Sequence, residues 1–582
     1  MNKLNKSIDL SKIYNNKLVQ IIINILFSIS TASLTAILIV GEWSNSIIDI
    51  ILPTLSFSIM LFITFKFQLL KLIFRNSNKI ILFASAILGA YAIYLTSLNM
   101  LDYSTTFAHA IYLLLAIPSA ITFLYWFYSK LWYYAKLFFK SLDKMEKGFL
   151  IIAICVSSIG IIIIYNITTI FTYAYVPDEK RTYNLSYDIK NEETIKEGKE
   201  LVERTYGKLQ ALVYTSDTQV LLETDTFNNI NDSENDIRQP FFSLFAMPFT
   251  ILPKLIASLS LETIYPFLIA IVQAILVFIS IILLEKIIHL KGISKLLFMI
   301  FLSIAYPTLL FIINMEQYVI PVFYLIVFIY MAINNIKSKE VFYIFATGSM
   351  LTSGIFFPLL GEKKDFKKSV KMIFFTALKF LAIFIISAKI LLFSPYKLND
   401  QLELFSFFVH EAATPTQRVN MYTNFTLNTV LAPEIKAKEY LFAHLKSASN
   451  EHWIELKAYN QCIDQANNDK TNIFGIIILI LITLGFIFNR KDTFAQICFA
   501  WVLFSIVLLV IFGYGAFENG FILYTYYFSW AFVCLLFKFF ETVLQKWPKV
   551  KNTIYVLAII PVAVINFYGI YQLIEFGLQY YC

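Results

Sequence analysis

The sequence predicts an all-α polytopic membrane protein with about thirteen transmembrane helices. Of its 582 residues 58% are hydrophobic and only 15% are charged, which is more apolar side chain than a soluble protein of this size needs to bury. Many apolar runs reach the roughly 20 residues that cross a bilayer. The basic residues lie mostly in short segments between these runs, as the positive-inside rule requires, so the net charge of +8 does not indicate nucleic-acid binding.

The spans divide the chain into three predicted regions. These are an N-terminal region 1–148 with four helices, a central region 149–335 that contains the predicted catalytic core, and a C-terminal region 336–582. The first apolar run is too long for a signal peptide and lacks a small-residue cleavage site, which predicts a retained helix. The predicted spans are 18–40, 47–67, 80–98, 106–128, 149–173, 264–284, 296–314, 317–335, 372–393, 471–488, 493–512, 520–540 and 553–573.

Lysine-rich segments predict the orientation of the spans. Segments 1–17, 130–147 and 362–371 carry four, five and five lysines against few acids, which places them on the cytoplasmic side. Basic residues near 286–295 and 538–551 agree with this placement. The predicted topology therefore has the N-terminus inside and the C-terminus outside.

Two apolar segments, 241–258 and 341–360, would break this topology if they crossed the bilayer. A crossing by either would move the following lysine-rich segments outside. Both are therefore predicted to be re-entrant or juxtamembrane helices, which a membrane tolerates where they pack against protein. Proline and glycine residues also weaken both as continuous spans, namely Pro248, Pro253, Gly348, Gly354 and Pro358.

Two long loops then fall on the outer face. Loop A is 174–240 and carries fourteen acids against eight basic residues. Loop B is 394–470 and has a helical pattern around 434–460. Neither loop is large enough for a separate catalytic domain, so the active site is expected at the membrane surface, between the loops and the helix ends.

A charged motif stands directly in front of segment 241–258. Asp236, Arg238 and Gln239 precede Pro240, and proline suits the first turn of a helix because its missing N–H had no partner there anyway. Asp217 lies about twenty residues before this motif, at the start of a short helical stretch. Both carboxylates are expected at the water boundary, where partial desolvation suits a general base.

The order of these motifs resembles the GT-C superfamily of integral membrane glycosyltransferases, such as protein O-mannosyltransferases and aminoarabinose transferases. "SDTQVLLET" (216–224) is similar to the acidic outer-loop motif of that group, and "RQPFFSLF" (238–245) to its proline-led juxtamembrane motif. Here the second motif has one proline rather than two and no histidine before it. The acids of "VPDEK" (176–180) are similar to a motif of some relatives. The resemblance covers mainly 149–335.

The resemblance implies a GT-C-like fold and an inverting glycosyltransferase. The donor would be a polyprenyl-phosphate sugar and the acceptor a cell-envelope glycan, lipid or protein, on the outer face of a bacterial cytoplasmic membrane. It implies Asp217 as the catalytic base, with Asp178 and Asp236 as rivals, and Arg238 and Gln239 as substrate-binding residues. A divalent metal ion, Mg²⁺ or Mn²⁺, is left open.

Five further residues complete the predicted site. Glu316 and Gln317 occupy a tight outer turn, where relatives carry a second acid, and Glu316 is the predicted metal ligand, although a plain polar turn explains them equally well. Lys389 near the outer end of a span is placed to meet a lipid phosphate or to snorkel to the interface. His410 and Arg418 of loop B are placed to face donor or acceptor, against the alternative of an ordinary polar loop.

Two other functions remain open from the sequence. A transporter or flippase of lipid-linked sugars would have internal repeats and interrupted helices near the midplane, and no repeat relates the two halves. A surface polysaccharide polymerase or ligase would use pyrophosphate-linked oligosaccharides and arginines of the outer loops. Only Arg238 and Arg418 stand out in that role.

Overall fold

The computed structural model describes most of the helical bundle and short parts of the two loops. Nearly all of the predicted span 372–393 lies outside the described residues. The described residues are 16–39, 48–67, 70, 78–101, 107–167, 186–188, 226–228, 239, 241–260, 264–360, 368, 371, 374–376, 378, 413–433, 442–448, 451–456, 470–516 and 521–580.

Apolar helices form the bundle. The α-helices are α1 (Lys17–Ile39), α2 (Ile48–Phe67), α3 (Lys79–Leu101), α4 (Phe107–Ser141), α5 (Lys144–Ile167), α6 (Phe242–Leu259), α7 (Tyr265–Ile288), α8 (Ile293–Ile304), α9 (Tyr306–Ile313), α10 (Val319–Ile333), α11 (Lys339–Ser349), α12 (Pro415–Asn428), α13 (Ile473–Phe488), α14 (Thr493–Ser505), α15 (Thr525–Val543) and α16 (Pro548–Tyr580). Two 3-10 helices (Leu351–Leu360 and Ile522–Tyr524) and a π-helix (Ile506–Ile511) complete them.

Nine of the described helices are long and apolar enough to cross a membrane, or ten spans if the bent pair α8–α9 counts as one. This agrees with a multi-pass, helical membrane protein. Thirteen spans stays a prediction, because the described residues do not cover every predicted span.

Ion pairs mark the face at which α5 and α8 begin and α7 ends. The Lys286 ammonium lies 2.9 Å from the Glu146 carboxylate, and Lys295 lies 2.7 Å from Glu146 and 2.8 Å from Asp143. Lys295 also lies 3.4 Å from the buried Glu285. Segments 130–147 and 286–295, both predicted to be cytoplasmic, therefore meet at one face.

A second set of ion pairs lies on the same face. Lys538 of α15 contacts Asp492 at 2.6 Å, and Lys551 of α16 contacts Glu541 at 2.6 Å. The Ser294 hydroxyl donates to the Asn552 side chain at 2.8 Å, which joins the starts of α8 and α16. The structure thus gathers the predicted cytoplasmic segments 286–295 and 538–551 together.

Segment 341–360 enters the bundle and turns back, as predicted. It forms α11 and, after an extended Met350, the 3-10 helix Leu351–Leu360. The Tyr343 hydroxyl donates to the Gly354 carbonyl at 3.3 Å, and the Tyr343 and Phe357 rings lie 5.0 Å apart. Since the second half packs back along the first, the segment returns toward the face from which α11 starts.

Helix α6 is continuous through Pro248 and Pro253, although the sequence predicts that these prolines weaken it as a continuous span. Both prolines are buried, and neighbouring helices hold the backbone. The Tyr128 hydroxyl donates to the Pro248 carbonyl at 2.9 Å, and the Tyr324 hydroxyl donates to the Phe245 carbonyl at 2.8 Å. Packed helices tolerate proline where such groups satisfy the backbone.

Chain connectivity argues that α6 does not cross the membrane, although its length and composition would permit it. The ion pair between Lys286 and Glu146 fixes the end of α7 and the start of α5 at one face. Residues 167 and 265 therefore lie at the opposite face. A crossing by α6 would need a second crossing within 168–240, which is rich in charged residues.

Part of loop B differs from its prediction. Helix α12 is a polar helix buried in the bundle, with Asn420, Asn424 and Asn428 at most 9% exposed. Its side chains bond to the start of α13: the Asn472 amide donates to the Asn424 side chain at 3.0 Å. Hydropathy predicts exposure for so polar a helix. The helix is buried because its side-chain amides form hydrogen bonds with polar groups at the start of α13, which hydropathy does not take into account.

The predicted helical pattern around 434–460 is also wrong, because this segment contains two strands. Strand β2 (Phe442–Ala448) pairs antiparallel with β3 (Glu451–Leu456), and the pairing of Ala448 with Glu451 leaves a two-residue connection. Such short connections favour a hairpin over a helix. Strand β1 (Ser186–Asp188) of loop A pairs with β2, which joins the two loops in one small sheet.

Candidate functional site: a helix break at Glu316

The site centres on a break between α9 and α10. Helices α8 and α9 meet at a bend of 56°, α9 ends at Ile313, and residues 314–318 are not helical before α10 begins. The Gln273 side-chain amide of α7 donates to the Glu316 main-chain carbonyl at 3.1 Å. This contact ties the break to the middle of a spanning helix.

Glu316 lies in the predicted tight turn between two helices, and it is buried inside the bundle. It is 2% exposed, and Asn314 beside it is also 2% exposed. Gln273 lies about 12 Å below the start of α7 and about 20 Å above Lys286, at the helical rise of 1.5 Å per residue. The break thus lies in the outer half of the bundle, where an ionisable side chain indicates a functional site.

Gln317 is half-buried and follows Glu316 directly. The next residue, Tyr318, packs its ring 6.2 Å from Tyr524 and 5.9 Å from Phe311. Aromatic side chains therefore wall the break on the side of α15. The role of Gln317 in binding a substrate stays a prediction.

The start of α6 reaches the same end of α10. The Phe241 N–H donates to the Gly348 carbonyl at 2.9 Å, and Gly348 approaches the ring of Phe245 so closely that a Cβ there would lie 2.4 Å from it. Since the Tyr324 hydroxyl of α10 also bonds to Phe245, the first turns of α6 and α10 are neighbours. Half-buried Gln239 lies at this junction, whereas Arg238 and Pro240 are outside the described residues.

A short piece of loop A is anchored in the bundle. The Asn228 amide donates to the Tyr265 hydroxyl at 2.7 Å, and the Thr250 hydroxyl donates to the Asn228 side chain at 2.9 Å. Both Asn228 and Phe227 are fully buried. Residues 226–228, which stand between Asp217 and Asp236 in the chain, are thus fixed against α6 and α7.

Most predicted site residues lie outside the described residues. These are Asp217, Asp178, Asp236, Arg238, Lys389 and His410. Their roles stay predictions.

Arg418 is described, and its guanidinium contacts the protein backbone. Its Nε donates to the Ala413 carbonyl at 2.7 Å, and its Nη1 donates to the Ile511 carbonyl at 3.1 Å. Gly513, with a φ of 69°, passes so close that a Cβ would lie 2.7 Å from the guanidinium. These contacts give Arg418 a structural role at the end of the π-helix. Its role in substrate binding stays a prediction.

A lateral groove runs beside α9, the helix that ends directly before the break. It has a volume of about 650 Å³ and is lined by α5, α7, α8, α9 and α16. Ile152 and Val156 of α5, which line it, are 65% and 63% exposed, so the groove opens toward lipid. Ile312 and Ile313 line its outer end, and the break at residues 314–318 follows immediately.

The described residues supply no complete metal site. No three of their His, Cys, Asp or Glu side chains are close enough together to hold a metal ion. Glu316 offers one carboxylate, and Mg²⁺ or Mn²⁺ would need further oxygen ligands from the acids of loop A. The metal ion stays a prediction.

Comparison with protein-family models, with characterised proteins and with solved structures finds no match to this chain. The GT-C resemblance therefore stays a hypothesis drawn from the motifs.

Sequence reasoning missed two polar residues of the site, Gln273 and Asn228. Gln273 is the one amide in the apolar run "FLIAIVQAILVFISIILL", and a lone polar residue inside a span is a usable signal. Asn228 stands among other polar residues in "DTFNNINDSEND", so nothing in the sequence distinguishes it.

Proposed function

We propose that this protein is a membrane glycosyltransferase that transfers a sugar from a polyprenyl-phosphate donor to a cell-envelope acceptor on the outer face. The supporting observation is an open apolar groove lined as far as Ile313, the last residue of α9, directly before the non-helical residues 314–318 that contain buried Glu316. A lipid-linked donor needs a path in the membrane for its tail and a polar site for its sugar. The groove and the break offer both side by side.

The proposed reaction is a single displacement. A carboxylate of loop A, Asp217 before Asp178 and Asp236, takes the proton of an acceptor hydroxyl. The hydroxyl oxygen attacks the anomeric carbon while the bond from that carbon to the phosphate oxygen breaks, which inverts the configuration. The polyprenyl phosphate leaves with the bonding electron pair, and positive charge from Arg238, Lys389 or Arg418 stabilises it.

Buried polar groups near the break fit a role in positioning. Glu316 lies where its carboxylate can accept hydrogen bonds from sugar hydroxyls, and Gln273 holds its backbone in place. Gln317 and Gln239 are half-buried at the same end of α10. Fixed polar groups of this kind lower the barrier by holding the reacting atoms in line.

The test is transfer by purified protein from a labelled polyprenyl-phosphate sugar to cell-envelope acceptors. Asp217→Asn keeps the shape of the side chain and removes the base, so transfer should fall by roughly 10²–10⁴-fold. If Asp178→Asn or Asp236→Asn abolishes transfer instead, the base is misassigned. If all three variants keep normal transfer, the base is not one of these carboxylates; if the wild type transfers no sugar, the protein is not an enzyme of this kind.

A flippase of lipid-linked sugars is the second candidate. The groove extends from Lys144, at the inner end of α5, to Ile313, and the bent pair α8–α9 is an interrupted span. Flippases and transporters use such features. Only a flippase would move the intact donor between leaflets without breaking the bond between sugar and phosphate.

A further inference from the structure

The inner half of the groove has features that the donor does not explain. The donor would place its phosphate at the outer break and only its apolar tail below. At the inner end, however, the lining includes Lys144, the first residue of α5. A hydrocarbon tail does not interact favourably with a positive charge, whereas the anionic headgroup of an inner-leaflet lipid does.

Lys144 is not needed to neutralise the acids around it. Glu146 and Asp143 are paired with Lys286 and Lys295. Lys144 is exposed, and no side-chain partner contacts its ammonium among the described residues. Its charge is therefore available at the inner mouth of an otherwise apolar groove.

The wall of the groove above Lys144 is open enough for a hydrocarbon chain. Gly148 and Gly160 of α5 line the groove, and a Cβ added at either would meet no atom within 4 Å. These glycines therefore do not serve close helix packing. The volume of about 650 Å³ falls in the range of sites that hold organic ligands.

We propose that the inner half of this groove binds an anionic glycerophospholipid of the cytoplasmic leaflet. Its phosphate meets Lys144, and one acyl chain runs past Gly148 toward Ser157. The cytoplasmic leaflet is the anionic one, and basic residues between helices on that side suit anionic headgroups. The proposal does not rest on the transferase activity, because it is argued from Lys144 and the inner half of the groove alone.

The test measures thermal unfolding of the purified protein in nanodiscs of phosphatidylcholine, with and without phosphatidylglycerol. A lipid that binds only the folded state raises the unfolding temperature. We expect phosphatidylglycerol to raise it for the wild type, and Lys144→Gln to lose most of that increase. Lys147→Gln is the matched control, because Lys147 is also exposed on α5 but does not line the groove; it should keep the increase.

Gly148→Leu tests the acyl-chain path without touching the charge. The variant should fold, because the new side chain has space. The leucine fills the inner half of the groove, so this variant should also lose the rise in unfolding temperature that phosphatidylglycerol causes. Gly160→Leu fills the outer half and should leave it intact. Equal increases in Lys144→Gln and Lys147→Gln, or an unchanged increase in Gly148→Leu, would overturn the proposal. If Lys144→Gln fails to fold, Gly148→Leu decides alone, and none of these readouts depends on transfer activity.

Discussion

Glu316 is the described residue on which the proposed site depends most. Glu316→Gln keeps the size of the side chain and removes its charge, so transfer should fall by about 10²-fold if the carboxylate orients or stabilises the reacting sugar. The measurement is the transfer rate of purified variant and wild type. Gln317→Ala, one residue away and half-buried, is the control and should cost much less. Equal losses of transfer rate in the two variants would show that the Glu316 carboxylate has no specific role in transfer.

Asp492 predicts a pH-dependent contribution to stability. Burial alone would raise its pKa, but the hydrogen bond and charge of Lys538 hold the pKa below its ordinary value. A lowered pKa in the folded state gives stability that is present above the unfolded value of about 3.9 and is lost as the pH falls through the folded value. Asp492→Asn should therefore lower the unfolding temperature at pH 7, and the difference from wild type should shrink below about pH 4.

The Asp492 substitution separates charge from helix capping. The Asp492 carboxylate also accepts hydrogen bonds from the N–H groups of Phe494 and Ala495, at 2.7 and 3.1 Å. Asparagine caps a helix about as well, so the variant isolates the pairing with Lys538. Lys491→Gln is the control at an exposed neighbour. A difference that persists unchanged at acid pH would contradict the account.

Single residues could be predicted only where their chemistry is unusual for their surroundings. Glu316 stands out because an acid interrupts a long apolar stretch. The burial of Glu316 could not be predicted, because it depends on a contact with Gln273, which lies about 12 Å along α7 from the start of that helix. The structural contacts of Arg418 could not be predicted from the sequence, because its guanidinium bonds to the carbonyl of residue 511, which is far from it in the chain, as well as to that of residue 413.

At the scale of elements, α6 should begin and end on the outer face. Both Gln239→Cys and Ser260→Cys, at or just outside its two ends, should react with a membrane-impermeant thiol reagent added from outside, in a background without other reactive cysteines. This follows from the ion pair that holds the start of α5 and the end of α7 at one face, which the lysine distribution predicts to be the inner one. If only one of the two reacts from outside and the other only from inside, α6 crosses the membrane and the predicted topology is wrong.

The close contact between α12 and α13 predicts that the stability of the fold depends on Gly475. A Cβ at Gly475 would lie 1.8 Å from the Thr423 carbonyl oxygen, so Gly475→Ala must push the two helices apart. Overpacking of this kind destabilises by about 1–3 kcal/mol. Gly160→Ala is the matched control, because its Cβ has open space and alanine favours a helix. Similar unfolding temperatures for the two variants would contradict the packing described here.

Elements were predictable where hydropathy and charge act together. The lysines after segment 341–360 predict that it is re-entrant, and the fold of its second half back on Tyr343 agrees with a segment that turns within the bundle. The continuity of α6 was not predictable from its prolines, because tyrosines from other helices support its backbone. Helix α12 was missed because its amides are satisfied by the start of α13, a contact that no local pattern reveals.

At the scale of the whole molecule, the gathering of charged segments at one face was the most predictable property. The lysine distribution predicts segments 130–147, 286–295 and 538–551 on one side; ion pairs join the first two, and the hydrogen bond from Ser294 to Asn552 brings in the third. The pairing of β1 with β2 adds that loops A and B meet, which the sequence could not show. In the described part of the chain an open apolar groove lies between the face with these ion pairs and the end of α9.

The fate of a labelled donor in proteoliposomes tests the central claim most directly. The donor is a polyprenyl-phosphate sugar labelled in the sugar, supplied with cell-envelope acceptors to vesicles that contain the wild type or Glu316→Gln. The account predicts that the label moves from lipid to acceptor with inversion at the anomeric carbon, and that the variant slows this transfer about 10²-fold. Label that stays on the lipid while the intact donor changes leaflet would contradict the account and identify a flippase.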